Sequence, residues 1–197
     1  MGIQQLQELA EPDQQPSTLS NLSEISLYPF AEINGEWNLP DSFLRAVYEQ
    51  ANIDGLIKTV FWRDSVTDGH DFVRHCKAPG NLMVFVFQDG VMAGFAWLTN
   101  ITENFAFGHF CFLRSSWGKT TVQAANQIMD YWFSLSADGV PIIDTIIGMV
   151  PGFNEFAQKF TQKIGFTHLG RIPQMLSNAS GERADAVIYF KSRLGNG

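Results

Sequence analysis

His109 lies midway along Ala106–Phe112, an aromatic-rich run with strand character. An imidazole gives up or takes a proton near neutral pH, its ordinary pKa being about 6.5, so a histidine held in such a run is a candidate general base. A structural histidine on the same strand is the other reading of the residue, and His168 carries the same pair of readings. His70 and His75 share a helical stretch with Asp71 and Cys76. Their spacing matches no metal-binding pattern, so no metal site is expected. Trp117-Gly118-Lys119-Thr120-Thr121 contains Gly-Lys-Thr, but a phosphate-binding P-loop needs a glycine five residues before Gly118, and Leu113 stands there. No Gly-x-Ser-x-Gly nucleophile elbow is present. Asp144, inside an apolar run, reads equally as a buried functional carboxylate or as one at a strand end.

The elements that must hold these residues follow from local pattern. Asp41 or Ser42 can cap a helix through Phe43, Val47 and Ala51, and a second helical stretch holds Asp71–His75 before Pro79-Gly80. Leu82–Phe87 reads as a strand, Asp89-Gly90 as a two-residue hairpin turn, and Val91–Leu98 as the returning strand. Asn104–Leu113 is a third strand. Arg114–Thr120 is a tight polar connection, and Val122, Ala125, Ile128, Met129, Trp132 and Phe133 then recur at helical spacing. Pro141 opens a strand that Pro151-Gly152 ends. Asn154 caps a helix whose buried face would be Phe153, Phe156, Ala157, Phe160 and Ile164, and Gly165 closes it. Phe166–Ile172 and Ala184–Phe190 are the last strands, with a polar loop at 174–183 between them. The expected class is α/β (α+β): a mixed central sheet with helices on both faces.

Charge divides the chain. The net charge is -7, no Lys or Arg precedes Arg45, and seven acids do: Glu8, Glu11, Asp13, Glu24, Glu32, Glu36 and Asp41. The remaining 13 acids meet all 13 bases, so the body is formally neutral and a basic nucleic-acid-binding surface is not expected. Residues 1–26 read as an acidic Gln/Pro-rich arm, solubilising or partner-docking, and 27–197 as one domain. Cys76 and Cys111 form no CxxC pattern, and no signal peptide or apolar run of membrane-spanning length is seen. A cytoplasmic protein with ordinary thiols is expected.

The order of elements, together with Asn154, Phe160, Lys163, Ile164, Gly165 and Phe166 in sequence, resembles the GNAT superfamily of acyl-CoA N-acyltransferases over about Leu39 to Lys191. Asp89-Gly90 followed by Gly94 matches the hairpin of that family. The resemblance implies acetyl-CoA as co-substrate and acyl transfer to an unidentified small-molecule or peptide amine. It implies that the loop Arg114, Ser115, Ser116, Trp117, Gly118, Lys119, Thr120 holds the CoA pyrophosphate on backbone N–H groups at a helix N-terminus. Within that loop only Gly118 fits the family's glycine pattern, Ser115 and Thr120 replace its ends, and Trp117 stands in place of a long polar residue. Backbone groups of Cys111, Phe112 and Leu113 would hold the pantetheine arm between two splayed strands, with Asn154 near the CoA end. His109 would lie near the acceptor amine as base. Phe160 occupies the position of the family's Tyr general acid and cannot donate a proton. The altered residues open a second reading, a GNAT-like binding or assembly module such as a phage head-assembly or structural protein. A homo-oligomer or a phage structural partner is left open; nucleic acid and membrane are not expected partners.

Overall fold

The computed structural model describes residues 23–63 and 65–195. Most of the acidic arm therefore lies outside the described residues. Its expected boundary at residue 26 falls inside a strand. Ile25–Pro29 (β1) pairs antiparallel with Leu82–Gln88 (β4), Ile25 opposite Gln88 and Ser26 opposite Phe87. The Asp89 carboxylate also accepts from the Glu24 N–H at 2.8 Å, so the ordered domain begins before the apolar pattern of its first strand can be recognised.

A small hairpin, Glu32–Ile33 (β2) and Glu36–Trp37 (β3), leads to helices Asp41–Ile53 (α1), Ile57–Val60 (α2) and Gly69–Cys76 (α3). Pro40, rather than Asp41 or Ser42, is the N-cap of α1; Asp41 sits in the first turn, where its charge suits the helix dipole, and it pairs with Lys77 at 2.6 Å. In α3 the cap is Asp68, whose carboxylate accepts from the N–H groups of His70 and Asp71. Val91–Thr102 (β5) and Phe105–Phe112 (β6) continue the meander, and helix Lys119–Ser134 (α4) crosses behind the sheet.

Pro141 does not open the next long strand. It belongs to a short hairpin, Ser136–Ala137 (β7) with Val140–Pro141 (β8), turned by Asp138 and Gly139 at positive φ. The sheet strand is Thr145–Pro151 (β9), followed by helix Glu155–Lys163 (α5) and strands Thr167–Ser177 (β10) and Arg183–Ser192 (β11). The strand β10 runs on through 174–177, where a loop is expected from polarity. Gln174 takes positive φ and the register slips between Ile172 and Leu176, which carries the chain past Pro173 without ending the pairing.

Among the described residues the sheet has seven strands in the order β1-β4-β5-β6-β9-β11-β10, and only β6 and β9 run parallel. Each face carries its own core. One packs α1–α3 against Met83, Phe85, Phe95 and Trp97; the other packs α4 against Leu98, Ala106, Ile146 and Val187, with Trp132 fully buried. The mixed sheet covered on both faces agrees with the expected class.

Candidate functional site

The parallel pairing of β6 with β9 stops at Phe107 opposite Ile147. Past that point β6 stays with β5 as far as Gly94 opposite Phe112, and β9 stays with β11 as far as Ala186 opposite Pro151. The two strands are thus drawn to opposite halves of the sheet. A cleft of about 670 Å³, counting space open to solvent, lies between them with α5 along one side. Gly108 stands at the fork, where a Cβ would come within 2.6 Å of the Ile146 side chain.

Strand alternation decides which backbone groups meet the cleft. The Leu113 N–H donates to Ala93 O at 2.9 Å, so Leu113, Cys111 and His109 turn their backbone groups to β5. Gly108, Phe110 and Phe112 turn theirs the other way. This corrects the expected trio: Cys111 and Leu113 are engaged in the β5 ladder, and Phe112 alone of the three faces the cleft. Its carbonyl accepts from the Trp117 indole Nε1 at 2.8 Å. Phe110 and Met149 carry the next backbone groups in line on the two splayed strands. Burial pushes the Cys76 and Cys111 thiols well up, so neither is a nucleophile.

At the mouth, Arg114–Ser116 form a turn of 3₁₀ helix. Asp54 accepts from the Arg114 backbone N–H at 2.7 Å through Oδ2 and from Nε at 2.6 Å through its carbonyl. The buried Ser116 hydroxyl bonds to the carbonyls of Ala93 and Leu113. The Thr121 hydroxyl donates to Ser116 O at 2.6 Å and accepts from Gly118 N at 3.1 Å. These bonds hold Gly118 at φ 149°, ψ -149°, a conformation open essentially to glycine alone. Gly118 is the N-cap of α4 and, having no side chain, accepts nothing from the first-turn amides. Ser115 and Lys119 are exposed beside it and Thr120 is half-buried in the first turn. Trp117 lies under the Arg114 guanidinium at 5.0 Å, with Phe156 of α5 at 6.1 Å on the far side of the mouth.

The α5 side of the cleft corrects a second expectation. Phe153 and Phe156 are 53% and 78% exposed, and α5 has no fully buried residue. Ala157 and Phe160 do turn inward, and Ile164, just past the helix, is buried. Asn154 caps α5, its Oδ1 accepting from Ala157 N at 3.0 Å. The Phe160 ring lines the cleft edge-on to Phe110 and Phe112, at 6.1 and 5.8 Å.

His109 lines the cleft from the other side. Its ring stacks on Trp97 at 4.7 Å and its Nε2 meets the Thr99 hydroxyl at 3.0 Å. Burial, with a smaller contribution from His75, pushes its pKa down to about 4. The imidazole is therefore neutral at physiological pH and a weaker base than sequence alone suggests. His75 abuts Trp97 edge-on at 5.4 Å, its Nε2 buried without a partner, and burial lowers its pKa too. Val60, Trp97, Phe110, Met149 and Thr161 complete the site unannounced by any motif. Only the register of β5 on β6 brings Trp97 beside His109, and α2 is too short to show a periodicity that would mark Val60.

The two histidines make stability acid-sensitive. Their folded pKa lies below the unfolded value of about 6.5, so their stabilisation is complete above that pH and is lost as pH falls from 6.5 toward 4. The lowered carboxyls of Asp41 and Asp71 titrate below this window. His109→Gln, which keeps a partner for Thr99, should remove on the order of 2 kcal/mol of this pH dependence. Urea midpoints at pH 7 and 4.5 for both proteins check it; equal drops would mean that His109 titrates normally.

The architecture is similar to solved N-acetyltransferases. Spermidine N-acetyltransferase from Vibrio cholerae, solved with CoA and spermine, shares 15% identity with TM-score 0.65, covering 87% of this chain and 96% of its own. An acetyl transferase of Salmonella typhimurium that modifies the N-terminal serine of ribosomal protein L7/L12 shares 16% with TM-score 0.66, covering 86% and 99%. The microcin C7 self-immunity acetyltransferase MccE, in complex with acetyl-CoA and AMP, shares 20% with TM-score 0.61, covering 77% and 86%. No protein-family model matches the sequence, and no curated protein sequence matches it. The chain has the GNAT fold. Among the described residues no helix is long and apolar enough to cross a membrane, and no three His, Cys, Asp or Glu side chains gather as a metal site.

Proposed function

We propose that this protein transfers an acetyl group from acetyl-CoA to an amine. The observation that carries the reading is the continuity of two unfilled backbone sites. The diverging edges of β6 and β9 run to the mouth of the cleft, where the N-cap of α4 has no side chain to offer the first-turn amides. An extended amide chain can pair with the first, through Phe110 and Met149, and a phosphate with the second. Acetyl-CoA carries both groups and supplies an activated acyl thioester. Thr120 and the first-turn amides that follow Gly118 would hold the pyrophosphate, with the exposed Lys119 adding charge. Arg114 is drawn toward Asp54 and Trp117 and contributes less. Asn154 orders the start of α5 beside the cleft, and His109 presents a neutral imidazole, oriented by Thr99, to the acceptor.

No hydroxyl stands at position 160 to protonate the departing thiolate. A thiolate whose thiol has pKa about 8.5 leaves unaided near neutral pH, only more slowly. Because the Phe160 ring lines the cleft, Phe160→Tyr should raise the rate of CoA release about a hundredfold, the lower end of what a positioned acid contributes. Calorimetric titration with acetyl-CoA tests the reading itself. Absence of binding at millimolar ligand would refute it and leave a GNAT-fold binding or assembly module, the phage-type reading included.

A further inference from the structure

The side chains walling the cleft are mostly rings and aliphatic groups, with Asn154 and Thr161 the uncharged polar ones. Trp97, His109, Phe110, Phe160 and Phe166 line it, and no Asp or Glu is among its described lining residues. An ordinary alkylamine, with a pKa near 10.4, arrives as an ammonium ion. Entering an apolar site, it needs a carboxylate or an open aromatic face. The rings offer little open face. Trp97 is stacked with His109 at 4.7 Å and with Phe61 at 5.2 Å, and the His75 ring abuts it edge-on. Phe110 stacks on Phe112 and meets Phe160 edge-on.

The base available points the same way. An ammonium ion must lose a proton before its nitrogen can attack, and an imidazole held at a pKa of about 4 cannot take it efficiently. An aromatic amine is neutral at pH 7, and its nitrogen becomes strongly acidic only after attack, when a weak base suffices.

We propose that the acceptor of this site is an uncharged, weakly basic amine on an apolar frame, an aromatic amine above all. The proposal rests on the acyl-transfer reading. The nitrogen lone pair attacks the thioester carbonyl carbon, a C–N bond forms and the C–S bond breaks. The electron pair leaves with sulfur. The nitrogen gives one proton to the His109 imidazole or to water, and the thiolate takes one from solvent, leaving the N-acetyl arylamine and CoA.

The experiment measures acetyl-CoA binding by calorimetry and then CoA release at pH 7 with three acceptors. These are 4-methoxyaniline, benzylamine (a similar ring, but cationic) and 1,4-diaminobutane. The expected result is binding, with kcat/KM for 4-methoxyaniline at least about tenfold above benzylamine and no turnover of the diamine. Binding together with preference for either cationic amine overturns this inference alone, as does binding with no acetylation of the aromatic amine. Failure to bind acetyl-CoA would instead remove the acyl-transfer reading beneath it.

Discussion

Gly118→Val should weaken acetyl-CoA binding about a hundredfold, the upper part of the range set by a 1–3 kcal/mol backbone strain. A Cβ at this position would meet nothing within 4 Å, so the effect cannot be a clash. It comes from the backbone: φ 149° with ψ -149° is closed to a β-branched residue. The turn between the 3₁₀ segment and α4 must then rebuild at negative φ. The first-turn amides, aligned by the Thr121 bonds to Ser116 O and Gly118 N, swing away from the cleft mouth. Lys119→Ala makes the contrast. It removes one exposed charge without moving the backbone, so its loss should be about three- to tenfold and should vanish in high salt. Calorimetry on the three proteins is the measurement. Wild-type affinity in Gly118→Val would exclude this helix end as the phosphate site.

Gly94→Ala should destabilise the fold by about 3 kcal/mol, the upper part of the usual overpacking range. The added Cβ would lie 2.5 Å from Cys111 O and 2.9 Å from the Phe112 Cα, both backbone atoms of β6. Neither can yield without prising β6 from β5, and β6 is the strand that forms one wall of the cleft. Gly90→Ala in the preceding turn is the control: its Cβ meets nothing, and only its φ of 76° is strained. That change should cost about 1 kcal/mol. Urea unfolding of the two variants reads the difference. Equal midpoints would mean that β5 and β6 adjust freely and that Gly94 is not a packing requirement.

Much of the framework was legible because its signals are local. Asp89-Gly90 turns its hairpin with φ values of 51° and 76°, as a two-residue turn requires. Asn154 caps α5 and Gly165 closes it at φ 85°, both as read from residue type. The hydrophobic face of α5 was misread for a related reason. Periodicity assumes that an apolar stripe rests on a continuous surface, and here the surface is interrupted. α5 lies along a gap between strands, so Phe153 and Phe156 stand exposed near its mouth while Phe160 turns inside.

The sequence by itself determined the Asp89-Gly90 turn, the Asn154 cap, the Gly165 stop and the absence of a tyrosine at position 160, because each depends on residues a few positions apart. It also carried Gly118, whose place before a helical run needs no distant contact to be seen. Tertiary structure alone decided which backbone groups face the cleft. A one-residue difference in register sends a strand's groups to the opposite neighbour, and the register of β6 is set by β5 through Ala93 and Leu113, twenty residues apart. It also decided the character of His109. Its neighbours Trp97, Thr99 and His75 come from two other elements, and their packing strips the imidazole of water, lowering its pKa to about 4.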